Sequence, residues 1–349
     1  MTYELIVGGL FGLFGLAFGS FLNVCIHRLP RRIMLLDERD ELVRADGSGP
    51  NSARLEDVTA KLRSLSIWRT RSRCPHCAHG IAWYDNVPVL SWLILRGRCR
   101  NCSAAISPRY IAVEALTAAL FVACYLGFDD AWMAARFCAF AFFIVGLIFT
   151  DAEWKLLPDA LTLPGLAVGL ISSVFVPMHD IVMRAVVPMA RAYPGNASGA
   201  SSHIPWRLVS LMQSAGGALA GAAFIYGAGV LYMRMRPDLR EHGQAAMGLG
   251  DVKLMAMIGA FLGISLTAVT MFAASIAGAL FGTLVIARVW FKRNQRQRAR
   301  SMRPGRAWHS AMIAFRYFEV PFGVFLGSAA LFAAFCGETV VRWYAAFFS

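Results

Sequence analysis

Stretches of about 20 apolar residues recur along the whole chain, and nothing else in it limits the possible folds so strongly. In hydrocarbon each backbone N–H and C=O must find its partner inside the protein, so a segment of this kind crosses as a helix. Eight such spans can be read, at about residues 4–25, 109–127, 131–150, 159–177, 206–233, 249–263, 265–288 and 320–347. Apolar residues make up 57% of the 349, and the mean hydropathy of +0.53 lies well above that of soluble domains. The expected fold is an all-α polytopic membrane protein with about eight transmembrane helices.

Charge supplies the orientation. The formal net charge is +13, carried by basic residues clustered between the spans. No nucleic-acid-reading motif accompanies them, so the charge reads as topogenic, next to anionic lipid, and not as a nucleic-acid surface. The first span lacks a basic start and a small-residue cleavage box, so it reads as a retained helix. Arg28, Arg31 and Arg32 follow it, which places its N-terminus outside. The resulting division is a first transmembrane helix over residues 1–25, a cytosolic segment over 26–108, and a transmembrane domain over 109–349. Within the last, loop 178–205 is external and the basic loop 289–317 cytosolic. In the cytosolic segment, the acidic and basic residues 37–41 read as solvated loop and the stretch around residues 60–65 as a short helix. No internal repeat of usable strength is visible.

The cytosolic segment holds four of the eight cysteines, as Cys74-Pro75-His76-Cys77 and Cys99-Arg100-Asn101-Cys102, with 21 residues between the pairs. Cysteines three apart hold one tetrahedral ion through paired thiolates, and a reducing cytosol argues against disulfides. Cys74, Cys77, Cys99 and Cys102 therefore read as a structural four-thiolate zinc site, with redox chemistry and unmetallated thiols as the alternatives. Gly97 helps the backbone turn into the second pair, and His76 and His79 read as exposed polar residues. The fold class thus includes a small cytosolic zinc-binding domain between the first and second helices. Cys25, Cys124, Cys138 and Cys336 lie in apolar runs and read as buried small side chains.

Asp151 ends the apolar run Phe142–Phe149, and Asp251 sits in Gly248-Leu249-Gly250-Asp251, just before another. A carboxylate at a membrane boundary is costly to desolvate and is a functional candidate on that ground. The span count puts both at the cytosolic face, on separate helices. Two such carboxylates can share one proton and activate a water between them. Asp159, after Pro158, reads as a helix cap and Glu153 as solvated. Asn23, Glu114 and Gln213 read as interhelical hydrogen-bonding groups, and Lys155 and Lys253 as partners of carboxylates or lipid phosphates. Neither a serine–histidine nor a cysteine–histidine pair presents itself.

Further stretches carry a family resemblance from end to end. They are Gly19-Ser20-Phe21-Leu22-Asn23-Val24, Arg28-Leu29-Pro30, Tyr84 through Trp92 between the cysteine pairs, Ser107-Pro108-Arg109-Tyr110 with Glu114, the two aspartate motifs, and Pro321-Phe322-Gly323. The chain resembles the type IV prepilin peptidases, which are prepilin leader peptidase/N-methyltransferases of the membrane-embedded GxGD aspartic class. The resemblance implies an enzyme in the bacterial inner membrane whose active site faces the cytosol. It implies Asp151 and Asp251 as the catalytic pair, and Cys74, Cys77, Cys99 and Cys102 as zinc ligands. It further implies prepilin and pseudopilin substrates, and S-adenosylmethionine as methyl donor for the new N-terminal residue. No G-x-G-x-x-G loop marks a methyl-donor site. Residues 34–68 and 178–205 are longer than the family pattern. A zinc-braced assembly factor or transporter without enzymatic activity is the alternative; a transporter would show midplane polar residues in paired broken helices.

Overall fold

The computed structural model describes residues 2–45, 50–67, 72–128, 130–178, 205–235, 248–298 and 321–347. Among them the elements are helical. They are α1 (Thr2–Arg44), α2 (Pro50–Ser64), α3 (Leu90–Ile94), α4 (Arg109–Gly127), α5 (Ala131–Trp154), α6 (Asp159–Phe175), α7 (Trp206–Met235), α8 (Leu249–Arg298) and α9 (Phe322–Ala346). Six are long and apolar enough to cross a membrane, and α6, with 17 residues, is a shorter apolar helix. Most of loop 178–205 and of the basic loop 289–317 lies outside the described residues.

Helix α8 comprises two spans. Gly263 inside it has φ 76° and ψ −178°, a non-helical conformation open to glycine because it lacks a Cβ. A Cβ on Gly221 of α7 would lie 2.6 Å from the Met255 carbonyl oxygen and 3.3 Å from Thr267 Cγ2. Twelve residues of continuing helix would hold those two about 18 Å apart. The chain therefore folds back at Gly263, and the spans read at 249–263 and 265–288 are the two limbs of a hairpin. Among the described residues, each of the eight spans read from the sequence falls mainly in a helix or a limb.

Beyond its first turn, the first limb of α8 is apolar on every side, as expected of a helix enclosed by others. Leu254, Met255, Met257, Ile258 and Ala260 are all fully buried. They pack with Phe140, Ile144 and Leu147 of α5, Leu161 of α6 and Leu326 of α9 in one core. Small residues allow the close approach, as lipid-embedded helices require: Gly165 faces Met257 and Gly169 faces Ala260. The limb ends in carbonyls without intrahelical partners. Buried Arg136 of α5 donates to the Ala260 and Phe261 oxygens, each at 3.1 Å, and Ser214 Oγ donates to Ala260 at 2.6 Å. A cation at a helix C-terminus also complements its dipole.

Two expectations need correction. Residues 37–41 are not loop, because α1 runs unbroken through Pro30 to Arg44 and extends well past its apolar part. Glu38 on this extension pairs with Arg54 of α2 at 2.7 Å, so the mixed charges join two helices. Cys336 is exposed, whereas Cys25, Cys124 and Cys138 are buried as expected. An apolar run in a membrane protein has a lipid-facing side, and hydropathy alone does not say which residues lie on it.

Candidate active site

Asp151 occupies the last turn of α5, which stops when Lys155 enters the left-handed region (φ 51°) and returns its N–H to the Asp151 carbonyl. The side chain is 6% exposed. It is held from across the bundle, since the Val324 N–H at the start of α9 donates to Asp151 Oδ2 at 3.0 Å. The Gly323 N–H is a second donor to it. These are first-turn amides of a helix, otherwise without intrahelical acceptors, and a carboxylate is their natural partner. A Cβ at position 323 would lie 2.9 Å from Oδ2, so glycine lets the helix end reach the acid.

Asp251 lies in the first turn of α8 and is half-buried. It is within electrostatic reach of Asp151. Leu157, in the turn after α5, packs against the first turns of both α8 and α9. Its side chain would be 3.1 Å from a Cβ on Gly250 and 3.2 Å from one on Gly323. The structure thus brings Asp151 and Asp251 together at one end of the bundle. Pro321-Phe322-Gly323 was visible as a motif, but its role as the holder of Asp151 was not. A proline–glycine turn opening an apolar helix was the only signal.

The surrounding charges differ from expectation in two places. Asp159 does not cap α6: Pro158 is the cap residue, and the Asp159 carboxylate accepts from Lys253 Nζ at 2.7 Å with both oxygens. The pair fastens the start of α6 to the first turn of α8, two residues after Asp251. Lys253 therefore has the carboxylate partner expected of it. Glu153 is not merely solvated, since it forms an ion pair with Arg109 at the start of α4. Arg31 of α1 lies over the Trp154 ring at 5.6 Å, so α1 borders the same rim.

The four paired cysteines converge. Their sulfurs all lie within 4.8 Å of one another, and Cys74 Sγ is 3.8 Å from Cys102 Sγ. Zinc–sulfur bonds of about 2.3 Å in a tetrahedron put sulfurs about 3.8 Å apart, so the cluster is compatible with zinc. All four thiols are free. Each pair is built by the same turn. Cys74 N–H donates to His79 O and Ala78 N–H to Cys74 O; Cys99 N–H donates to Ala104 O and Ser103 N–H to Cys99 O. Ala78 and Ser103 both have positive φ, and antiparallel bridges Arg73–Gly80 and Arg98–Ala105 close the two turns. The His79 N–H and the Asn101 amide favour the Cys77 thiolate and bring its pKa down to about 6. The N–H groups of Cys102 and Asn101 lower that of Cys99. Gly97 (φ 67°) packs against Trp92 just ahead of the second turn.

A buried carboxylate ties this cysteine region to the bundle. Glu114 of α4 accepts from the Val89 N–H at 2.8 Å and from Asn23 Nδ2 of α1 at 3.5 Å, while Asn23 also donates to Tyr110 O. The interhelical role expected of Asn23 and Glu114 is thus what they perform. Val89 has φ 59° and ψ −50°, and Leu90 N–H bonds back to Pro88 O. This is a γ-turn, unfavourable for a β-branched residue and held here by the Glu114 oxygen.

A multi-pass helical bundle with two carboxylates meeting at one end, beside a four-thiol domain, is the class that fold and site define. Residues 13–128 match the Bacterial Peptidase A24 N-terminal domain, and residues 137–283 match the Type IV leader peptidase family. The chain belongs to the type IV leader peptidase family. It is 33% identical over 335 residues to a prepilin leader peptidase/N-methyltransferase of Aeromonas salmonicida, covering 95% of this chain and 91% of the relative. Against the protein of that name from Legionella pneumophila the identity is 31% over 338 residues, covering 95% and 92%. For that of Pseudomonas aeruginosa it is 30% over 337 residues, covering 96% and 92%. No solved structure matches the chain.

Proposed function

We propose that the protein removes the basic leader from type IV prepilins and pseudopilins at the cytosolic face of the inner membrane, with Asp151 and Asp251 as the catalytic pair. The observation that carries this reading is the meeting of two carboxylates from different helices, one of them held by the amides of Gly323 and Val324. One carboxylate takes a proton from water as the water attacks the scissile carbonyl; the other, protonated, polarises the carbonyl oxygen. Two such close acids do not both ionise cheaply, so they act as one titrating unit. The cytosolic assignment rests on the Lys and Arg excess on the segment that follows the first span.

The same enzyme N-methylates the residue that cleavage exposes, with S-adenosylmethionine as donor; the two activities joined in the relatives' names support this. Cys74, Cys77, Cys99 and Cys102 hold a structural zinc, since four thiolates close the tetrahedral shell. Purified protein in lipid, given a synthetic prepilin leader substrate, tests the peptidase reading. Wild-type protein should release the leader and Asp151→Asn and Asp251→Asn should not. Uncleaved substrate with the wild type would leave the non-enzymatic assembly role.

A further inference from the structure

A cavity of about 500 Å³ opens where α1 meets the first cysteine turn. Phe21, Val24 and Arg28 of α1 form one wall, and Ile81, Trp83 and Asn86 form the other. We propose that this cavity binds the methyl donor, S-adenosylmethionine. The proposal rests on the methylation reading above and gives it a location.

The volume suits a nucleoside-sized ligand, for which pockets run from about 300 to 1,000 Å³. Its lining offers partners for the adenine and for the carboxylate of that ligand. Trp83 is 82% exposed, an indole face that packs against no core and is available to a purine ring. Asn86 has both donor and acceptor atoms, as the edge of an adenine requires. Arg28 contributes a guanidinium, the planar fork that suits an amino-acid carboxylate, and anchors itself through Ser66 O. Phe21 and Val24 supply the apolar surface between them.

The second wall is pre-shaped. Trp83–Asn86 is a 3-10 turn. Arg100 pins it by pairing with Asp85 at 2.6 Å and lying over the Tyr84 ring at 5.7 Å. Three residues later comes the γ-turn at Val89 that Glu114 holds to α4. Rigid walls lower the ordering cost of binding. The site is also near where the acceptor arises, because α1 packs on the helix that bears Asp151. Phe21 stacks on Phe142 of α5, and Arg31 covers Trp154, three residues beyond the aspartate. When bound, the sulfonium supplies a methyl carbon to the amine lone pair; the new N–C bond forms as the C–S bond breaks, its electron pair stays on sulfur, and the amine's proton leaves to water.

Titration calorimetry of the full-length protein in detergent micelles, with S-adenosylmethionine as the probe, tests the site. Wild-type protein should bind one equivalent. Trp83→Ala should weaken binding at least about tenfold. Val24→Trp, which fills the cavity, should abolish it, and both variants should cleave leader peptide within about twofold of wild type. Wild-type binding that survives both substitutions would overturn the cavity and leave methylation intact. A wild type that neither binds nor methylates would overturn the methylation reading itself, and this proposal with it. Ultraviolet crosslinking of labelled donor to the wild type needs no variant to fold: label within residues 21–28 or 81–86 supports the site, and label confined elsewhere overturns it.

Discussion

Asp151 and Asp251 stand on different helices and meet only because α5, α9 and the first limb of α8 pack together. The four cysteines reach a common centre through two short turns, each closed by its own backbone hydrogen bonds. One site is made by tertiary packing in a buried core, the other by local chain geometry in a largely exposed segment. Damage should accordingly spread differently. A change far along the chain can displace a carboxylate, whereas the cysteine turns should fail mainly when a ligand or the metal is lost.

The largest effect expected is on the carboxylates. Asp151→Asn or Asp251→Asn should lower leader cleavage by roughly 10²–10⁴-fold or more while metal content stays at wild-type level. Cleavage assays beside metal analysis measure both, and a variant that cuts at near wild-type rate loses its catalytic assignment. Next, Cys74→Ser with Cys77→Ser should remove about one zinc per chain and reduce methylation more than cleavage, because the aspartates lie outside the cysteine turns. Equal loss of both activities would break the contrast between the two regions.

Gly323→Ala sharpens it from the other side. A methyl group 2.9 Å from Asp151 Oδ2 must push the acid or the start of α9 aside. Misplacement of that order can cost up to about 100-fold in rate, with zinc and methylation of pre-cleaved peptide unaffected. Gly217→Ala should act through packing alone: its Cβ would collide with the Gly259 carbonyl, costing about 1–3 kcal/mol and lowering the melting temperature. The smallest effect belongs to Asp159→Asn. The pair with Lys253 is partly exposed, so its loss should cost roughly 0.2–1 kcal/mol and leave clear activity. Abolished cleavage in a folded Asp159→Asn protein would place Asp159 in the chemistry instead.

Much of the site could be read from residue types. Cysteine spacing pointed to the metal cluster because three-residue spacing is a local geometric constraint. The two aspartates stood out because charge at the edge of an apolar run is rare. What escaped were the partners. Asp159 after Pro158 resembles a cap, and only the approach of α8 shows that Lys253 takes its oxygens. Glu153 resembles a solvated acid until α4 brings Arg109 to it. Arg136 drew no notice in sequence, yet it ends the most enclosed limb of the bundle.

Hydropathy by itself determined the spans, their number and which residues lie near their ends, because the cost of an unpaired backbone in lipid acts on each segment separately. Cysteine spacing likewise determined the four-thiol centre. Only the tertiary structure decided that Gly323 and Val324 hold Asp151 and that Arg136 closes the end of the limb carrying Asp251. Those contacts join residues far apart in sequence, and no local preference encodes them; they exist because buried polar groups must be paired and the packed helices leave each of them a particular set of partners.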